Sequence, residues 1–411
     1  MHFVRCTVTL LGITGASADD WPCWRGPQHN GISRETGWYV SWPEAGPPIA
    51  WRASVGVGFS SVVVSDNRLY TMGNQDNRDT VHCLDATTGA TLWSHSYEAD
   101  LGDKFFEGGP TSTPTVHGDS VFTLSRWGHL TRFDRITGEV RWSTNVAQET
   151  GTRIPGWGFA GSPRIHDQKL LLNVGESGMA IDPANGSILW KSANRDAGYS
   201  TPVTFQQQGR WVMALGSGKS FLTADVETGT ELWHHRWLTR YGVNSADPIV
   251  AGNQIFISSG YGKGAALLEM NASEVRVVWQ NRDMRNQLNS CVLLDGHLYG
   301  FDGDAGVSSS LRCLSWETGE VLWTDETIAT GGLMAAGNKL IVLNDHGELL
   351  VAEASHEQFQ PLARAQVLQG KCWTTPTLAN GRIYCRNAIG DLVCVDVRPT
   401  APASSQAGKT P

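Results

Sequence analysis

The stretch CLDATTGATLW, residues 83–93, is written again as RFDRITGEVRW at 132–142, AIDPANGSILW at 180–190, TADVETGTELW at 223–233 and CLSWETGEVLW at 313–323. A chain that repeats one unit at a fixed interval folds as a stack or a ring, because a single unit cannot bury its own apolar face. The terminal tryptophans stand at 93, 142, 190, 233, 279 and 323, a period in the mid-forties. Helical repeats of that length would show an apolar period of about 3.6 residues. Here SVVVSDNRLYTMG, TPTVHGDSVFTLS, SPRIHDQKLLLNVG and TPTLANGRIYCRN read instead as strand, polar turn, strand. The repeating unit is a four-stranded blade, and the expected architecture is an all-β propeller.

Within the repeat, Asp85, Asp134, Asp182 and Asp225 precede Gly89, Gly138, Gly186 and Gly229 by four residues, and Thr88, Thr137, Thr228 and Thr318 add a hydroxyl to the same turn. A carboxylate at that position accepts backbone N–H groups, while the glycine takes the left-handed conformation that a bulged hairpin requires. The same turn recurs at Gly319, ahead of Trp323. Trp93, Trp142, Trp190, Trp233 and Trp323 then lie on outer strands, where each ring covers the junction with a neighbouring blade and its N–H seeks a backbone acceptor. A residue written once per blade is structural.

The units run over 60–93, 113–142, 161–190, 200–233, 245–279, 289–323, a degenerate 332–362, and 375–396, where TPTLANGRIYCRNAIGDLVCVD stops before an outer strand. PPIAWRAS, residues 47–54, carries an outer-strand Trp51 with no strands before it. Joining the two gives an eighth blade and removes the exposed edges. The composition suits this, with 46 glycines, 17 tryptophans and only 18% charged residues. The expected organisation is therefore a signal peptide at 1–18, an N-terminal extension at 19–46, an eight-bladed propeller at 47–397 and a disordered tail at 398–411.

The opening MHFVRCTVTLLGITGASADD has a basic Arg5, a short apolar run and the small-residue site Ala16-Ser17-Ala18. It reads as a secretory signal, with a buried strand as the alternative, and predicts a periplasmic or secreted protein. No later segment has the apolar length of a transmembrane helix. Seven cysteines follow the signal, with no CxxC and no adjacent pair, which is not a disulfide framework. A formal charge of −8 argues against nucleic acid as a partner.

The A-x-D-x-x-T-G-x-x-x-W repeat, over residues 47–396, resembles that of the quinoprotein alcohol dehydrogenase-like superfamily. The resemblance implies an eight-bladed propeller. That superfamily includes pyrroloquinoline quinone dehydrogenases and non-enzymatic members such as the propeller lipoprotein of the outer-membrane β-barrel assembly machine. A quinone dehydrogenase needs a cation on the quinone oxygens, a calcium or lanthanide held by carboxylate and amide oxygens, an Asp base and flat walls. The family's enzymes commonly build one wall from a disulfide between adjacent cysteines. Neither that pair nor a CxxCH haem sequence is present.

Candidate ligand-binding residues lie where an outer strand leads into the next inner strand, since these turns crowd one mouth of a propeller. They are Arg153 and Trp157, then Arg240, Tyr241, Asn244 and Asp247, then Arg285 and Asn289, and finally Lys371 and Trp373. Arg, Asn and aromatic side chains at one rim suit a polar planar ligand, a sugar or a peptide. Asp302 and Asp304 lack the closing Glu of a calcium loop, and GSGKS at 216–220 lacks the frame of a phosphate loop; both read as turns. The sequence favours a non-catalytic binding or scaffold module for a protein, peptide or carbohydrate partner, with no metal, no catalytic residue and no cofactor. A quinone- and metal-dependent dehydrogenase and an outer-membrane protein assembly factor are the rivals; oligomeric state is not legible.

Overall fold

A computed structural model describes residues 19–193, 195–271 and 274–399. The expected signal peptide and nearly all of the expected tail lie outside them. Eight antiparallel sheets form a ring, each contributing an inner, a second, a third and an outer strand. The first blade has strands Val63–Ser65, Arg68–Gln75, Arg78–Asp85 and Thr91–Glu98. Six more follow to Gln366, the seventh blade lacking a tryptophan on its outer strand Pro361–Gln366. The helix among the described residues is the single turn Val146–Thr150, and none is long and apolar enough to cross a membrane.

Closure follows the chain order expected. Ile49–Ser54 is the outer strand of a sheet whose other strands are Asp391–Asp396, Arg382–Arg386 and Thr377–Ala379. Trp51 stands opposite Cys394, with a register shift between Ile49 and Trp51. The same shift recurs in other blades, for example between Val140 and Trp142, because the repeated turn inserts one extra residue in the outer strand.

That turn also joins blades. The Asp85 carboxylate accepts the Thr87 and Thr88 N–H groups at 2.9 and 2.8 Å, and Gly89 has φ of 74°. Its reason to be glycine is double, since a Cβ there would stand 2.6 Å from the ring of Trp51 in the preceding blade. Gly138 meets Trp93 at 2.5 Å in the same way, and Gly186, Gly229 and Gly319 meet Trp142, Trp190 and Trp279. In these five the indole N–H then reaches a carbonyl of the turn it covers: Trp51 to Ala86, Trp93 to Arg135, Trp142 to Pro183, Trp190 to Val226 and Trp279 to Trp316, at 2.8–3.1 Å. Trp323 reaches the Ser355 carbonyl at 2.8 Å in a turn without glycine, and the expected backbone acceptor for the Trp233 N–H is missing among the described residues. In those five junctions the tryptophan of one blade is thus packed and hydrogen-bonded by the glycine turn of the next.

Residues 19–35 run inside the ring rather than around it. Trp21 bridges Val64, Pro22 accepts the N–H of Val116, and Ile32–Ser33 pairs in parallel with the inner strand of the seventh blade at Ala335 and Ala336. This segment covers inner edges that would otherwise face the channel. All seven cysteines among the described residues are buried free thiols.

Candidate binding site at the channel mouth

The heads of the inner strands form a hydrogen-bonded belt around the channel. The Ser61 N–H donates to the Thr113 hydroxyl at 3.1 Å, Thr113 to Ser162 at 2.9 Å, Ser162 to Thr201 at 2.9 Å, Thr201 to the Asp247 carboxylate at 2.7 Å, and Asp247 to Ser290 at 2.7 Å. Most of these residues precede a proline, as in Thr113-Pro114, Ser162-Pro163, Thr201-Pro202 and Asp247-Pro248. Proline enforces extended backbone before it and tolerates the first strand position, so the polar residue is held facing its neighbour. The hydroxyl-Pro pair is a signal that the sequence reading passed over.

Above the belt lies a cavity of about 720 Å³. Its wall is an aromatic arc: Trp373 stacks on Phe59 with centroids 5.5 Å apart, Phe59 meets Phe106, and Phe105 meets Trp157. The arc continues from Trp157 to Tyr199 and Tyr241, and from Tyr241 to Tyr261 at 5.2 Å. Phe105 and Tyr241 are 61% and 52% exposed, so the arc opens onto the surface. Its cations sit behind the rings: Lys371 is 4.2 Å from the Trp373 centroid and paired to Glu107, while Arg126 lies over Phe106 and Arg240 over Tyr241. Burial pushes the Tyr199 hydroxyl up to about 12, so it stays neutral.

The floor comes from the N-terminal segment. The Trp24 indole donates to Asp247 at 2.6 Å, and the buried Arg25 guanidinium stands 3.9 Å from the same carboxylate while donating to the Cys291 carbonyl at 2.7 Å. Burial pushes the Asp247 carboxyl upward, opposed by Arg25 and the N–H donors of Thr201 and Trp24. A void of about 10 Å³ lined by Trp21, Trp24, Arg25 and Gly31 lies against this segment, and Trp24 with Arg25 closes the floor, so the cavity is a cup.

Of the sequence-predicted candidates, Trp157, Tyr241, Asn289, Trp373 and Asp247 line the cup. Asn289 is held by the Gly331 and Trp373 carbonyls at 2.8 and 2.9 Å. Asn244 is instead fully buried behind the wall, spent on the Ser217 and Trp237 carbonyls and the Ser259 hydroxyl. Arg285 is turned to Asp302 in a two-point pair at 2.8 and 2.6 Å, and Arg153 to Asp196 at 3.1 Å. Arg240 and Lys371 support rings rather than forming wall. Phe59, Phe105, Phe106, Tyr199, Tyr261 and Trp24 were not anticipated; Phe105-Phe106 in a Gly-rich loop was the readable hint.

These walls do not fit a quinone with its metal. The cup offers one carboxylate, already engaged, and no cationic side chain on its lining. Among the described residues no group of three or more His, Cys, Asp or Glu could hold a metal ion.

The family profile described as "Outer membrane protein assembly factor BamB" matches residues 33–156 and 77–324. The chain belongs to this family. It is similar to the outer membrane protein assembly factor BamB of Shewanella oneidensis, 24% identical over 275 residues. That match covers 62% of this chain and 66% of the relative, just under two thirds of its length. Among solved structures, BamB from Moraxella catarrhalis superposes with a TM-score of 0.64 at 17% identity, covering 85% of this chain and 99% of that one. The quinohemoprotein alcohol dehydrogenase from Comamonas testosteroni gives 0.68 at 14% identity, covering 93% and 81%. At these identities the two structures share the fold with this chain, and the propeller of this family is common ground between assembly factors and dehydrogenases.

Proposed function

We propose that this BamB-family propeller is a non-catalytic binding module of the periplasm or the secreted space, and that its cup holds an extended segment of a protein partner. The observation that carries this reading is the aromatic arc from Trp373 to Tyr261 around a cup of about 720 Å³ with a neutral wall. Exposed contiguous aromatic surface marks an interaction site, and rigid rings bind at low entropic cost. The hydroxyl belt and the Asn289 carbonyl contacts leave the floor polar enough to accept main-chain groups. The family's named role in outer membrane protein assembly supports a partner bearing apolar residues at alternate positions with aromatic residues among them, as strands of outer-membrane barrels do. Trp157, Tyr241, Asn289 and Trp373 are the proposed contacts, with Asp247 beneath them as a positioning group for Trp24.

The test uses the native tryptophans of the cup. An extended peptide of alternating aromatic and polar residues should alter tryptophan fluorescence saturably. Trp373→Ala and Tyr241→Ala should each weaken binding about tenfold, the loss expected of an aromatic anchor worth somewhat more than 1 kcal/mol. Wild-type affinity in both variants would move the binding surface elsewhere, and saturable binding of an oligosaccharide but not the peptide would replace the partner class.

A further inference from the structure

We propose that the chain is cut between Ala18 and Asp19, and that the α-ammonium group created at Asp19 forms an ion pair with buried Glu35 that fastens the channel stopper. Glu35 is 2% exposed. Its carboxylate accepts the Asp19 N–H at 3.1 Å, the Gly381 N–H at 2.9 Å and the Asn380 N–H. All three are neutral peptide groups in an uncut chain. What acts on Glu35 is burial, these three donors and the carboxylate of Asp19 itself, which adds repulsion. No cationic side chain among the described residues is paired with it. A buried anion surrounded by neutral donors and a second carboxylate is a costly arrangement.

One nitrogen in this cluster can become a cation without any change of sequence. Peptide hydrolysis after Ala18 consumes one water, leaves the carboxylate on Ala18 and turns the Asp19 nitrogen into a primary ammonium. That nitrogen is the one already within hydrogen-bond distance of Glu35. The small-residue site Ala16-Ser17-Ala18 ends at the same bond. Sequence and geometry therefore select one bond independently.

The position explains what the pair would do. Next along the chain, Asp20 accepts the Asp66 N–H at 2.9 Å and the Ser65 hydroxyl at 3.1 Å in the first blade, and the Asn380 side-chain amide at 3.0 Å in the eighth. Asp19 and Glu35 are the two ends of the stopper, and Glu35 is bonded to the Asn380–Gly381 turn. An ion pair there clips both ends to the blades where the ring closes, with Trp24 and Arg25 held at the middle of the channel.

The secreted protein should begin at Asp19 by amino-terminal sequencing. Its α-amine, followed by NMR after isotopic methylation, should titrate about one unit or more above the ordinary value near 8, and return to it in Glu35→Gln. Placing Gly-Ser ahead of Asp19 should lower the thermal midpoint by about 2–4 °C in the wild type and leave that of Glu35→Gln unchanged. A different first residue, or an α-amine titrating near 8 in the wild type, overturns the proposal, and both readings stand even where Glu35→Gln fails to fold.

Discussion

Asp79 shows how far a single residue's behaviour depends on surroundings that its neighbours in sequence do not reveal. It lies on the third strand of the first blade with no exposed surface, accepting from the Asn74 amide at 2.7 Å. Burial pushes its carboxyl up to about 6 from 3.8, against that hydrogen bond and the attraction of Arg126. The folded state thus holds this proton more tightly than the unfolded chain. Stability from this group is complete below the unfolded value and falls as pH rises from about 4 through 6. Asp79→Asn should remove the trend: between pH 4 and 7 the variant gains about 1–3 kcal/mol relative to wild type in urea melts. A constant difference across that range would mean that both states share the same affinity for the proton. Asp247 carries the same lesson at the cup. The sequence offers it as a ligand-binding rim residue, whereas the structure spends both oxygens on Thr201, Trp24 and Arg25.

At the scale of elements, the strand Ile49–Ser54 is the one that makes a ring from a row of blades. Trp51 is 8% exposed, covers Gly89 of the first blade, meets Tyr384 at 5.9 Å and donates to Ala86 at 3.1 Å. Around it one core cluster spans the eighth, first and seventh blades, from Leu69 and Leu84 to Ile383, Val393 and Met334. Trp51→Ala should therefore cost about 3–5 kcal/mol, measured by denaturant unfolding, because it opens both a cavity and a seam. A loss under about 0.5 kcal/mol would show that closure is held by other contacts. The blades were legible because strand, turn and tryptophan are written within each repeat. The stopper was not, because Trp21, Trp24 and Arg25 carry no repeat pattern, and their partners are chosen only when the ring has formed.

The whole molecule presents a stoppered propeller with an aromatic cup at one mouth, and its fold alone is compatible with quinone chemistry in relatives of the same shape. The donor set separates the cases. With calcium, pyrroloquinoline quinone and an artificial electron acceptor, the purified protein should show no alcohol or sugar oxidation; turnover that is lost in Trp373→Ala would assign the cup to a dehydrogenase. The amino-acid order by itself determined the β class, the period, the eight blades, the glycine turns and the pairing of residues 47–54 with the last repeat. These are encoded by local spacing and by alternation along each strand. Only the tertiary structure decided which rim residues face inward, that Asn244 and Arg285 are spent on the framework, and that the channel ends at Trp24. The physical reason is distance along the chain: Trp24 and Asp247 are 223 residues apart, and nothing but closure of the ring brings an indole, a guanidinium and a carboxylate together on its axis.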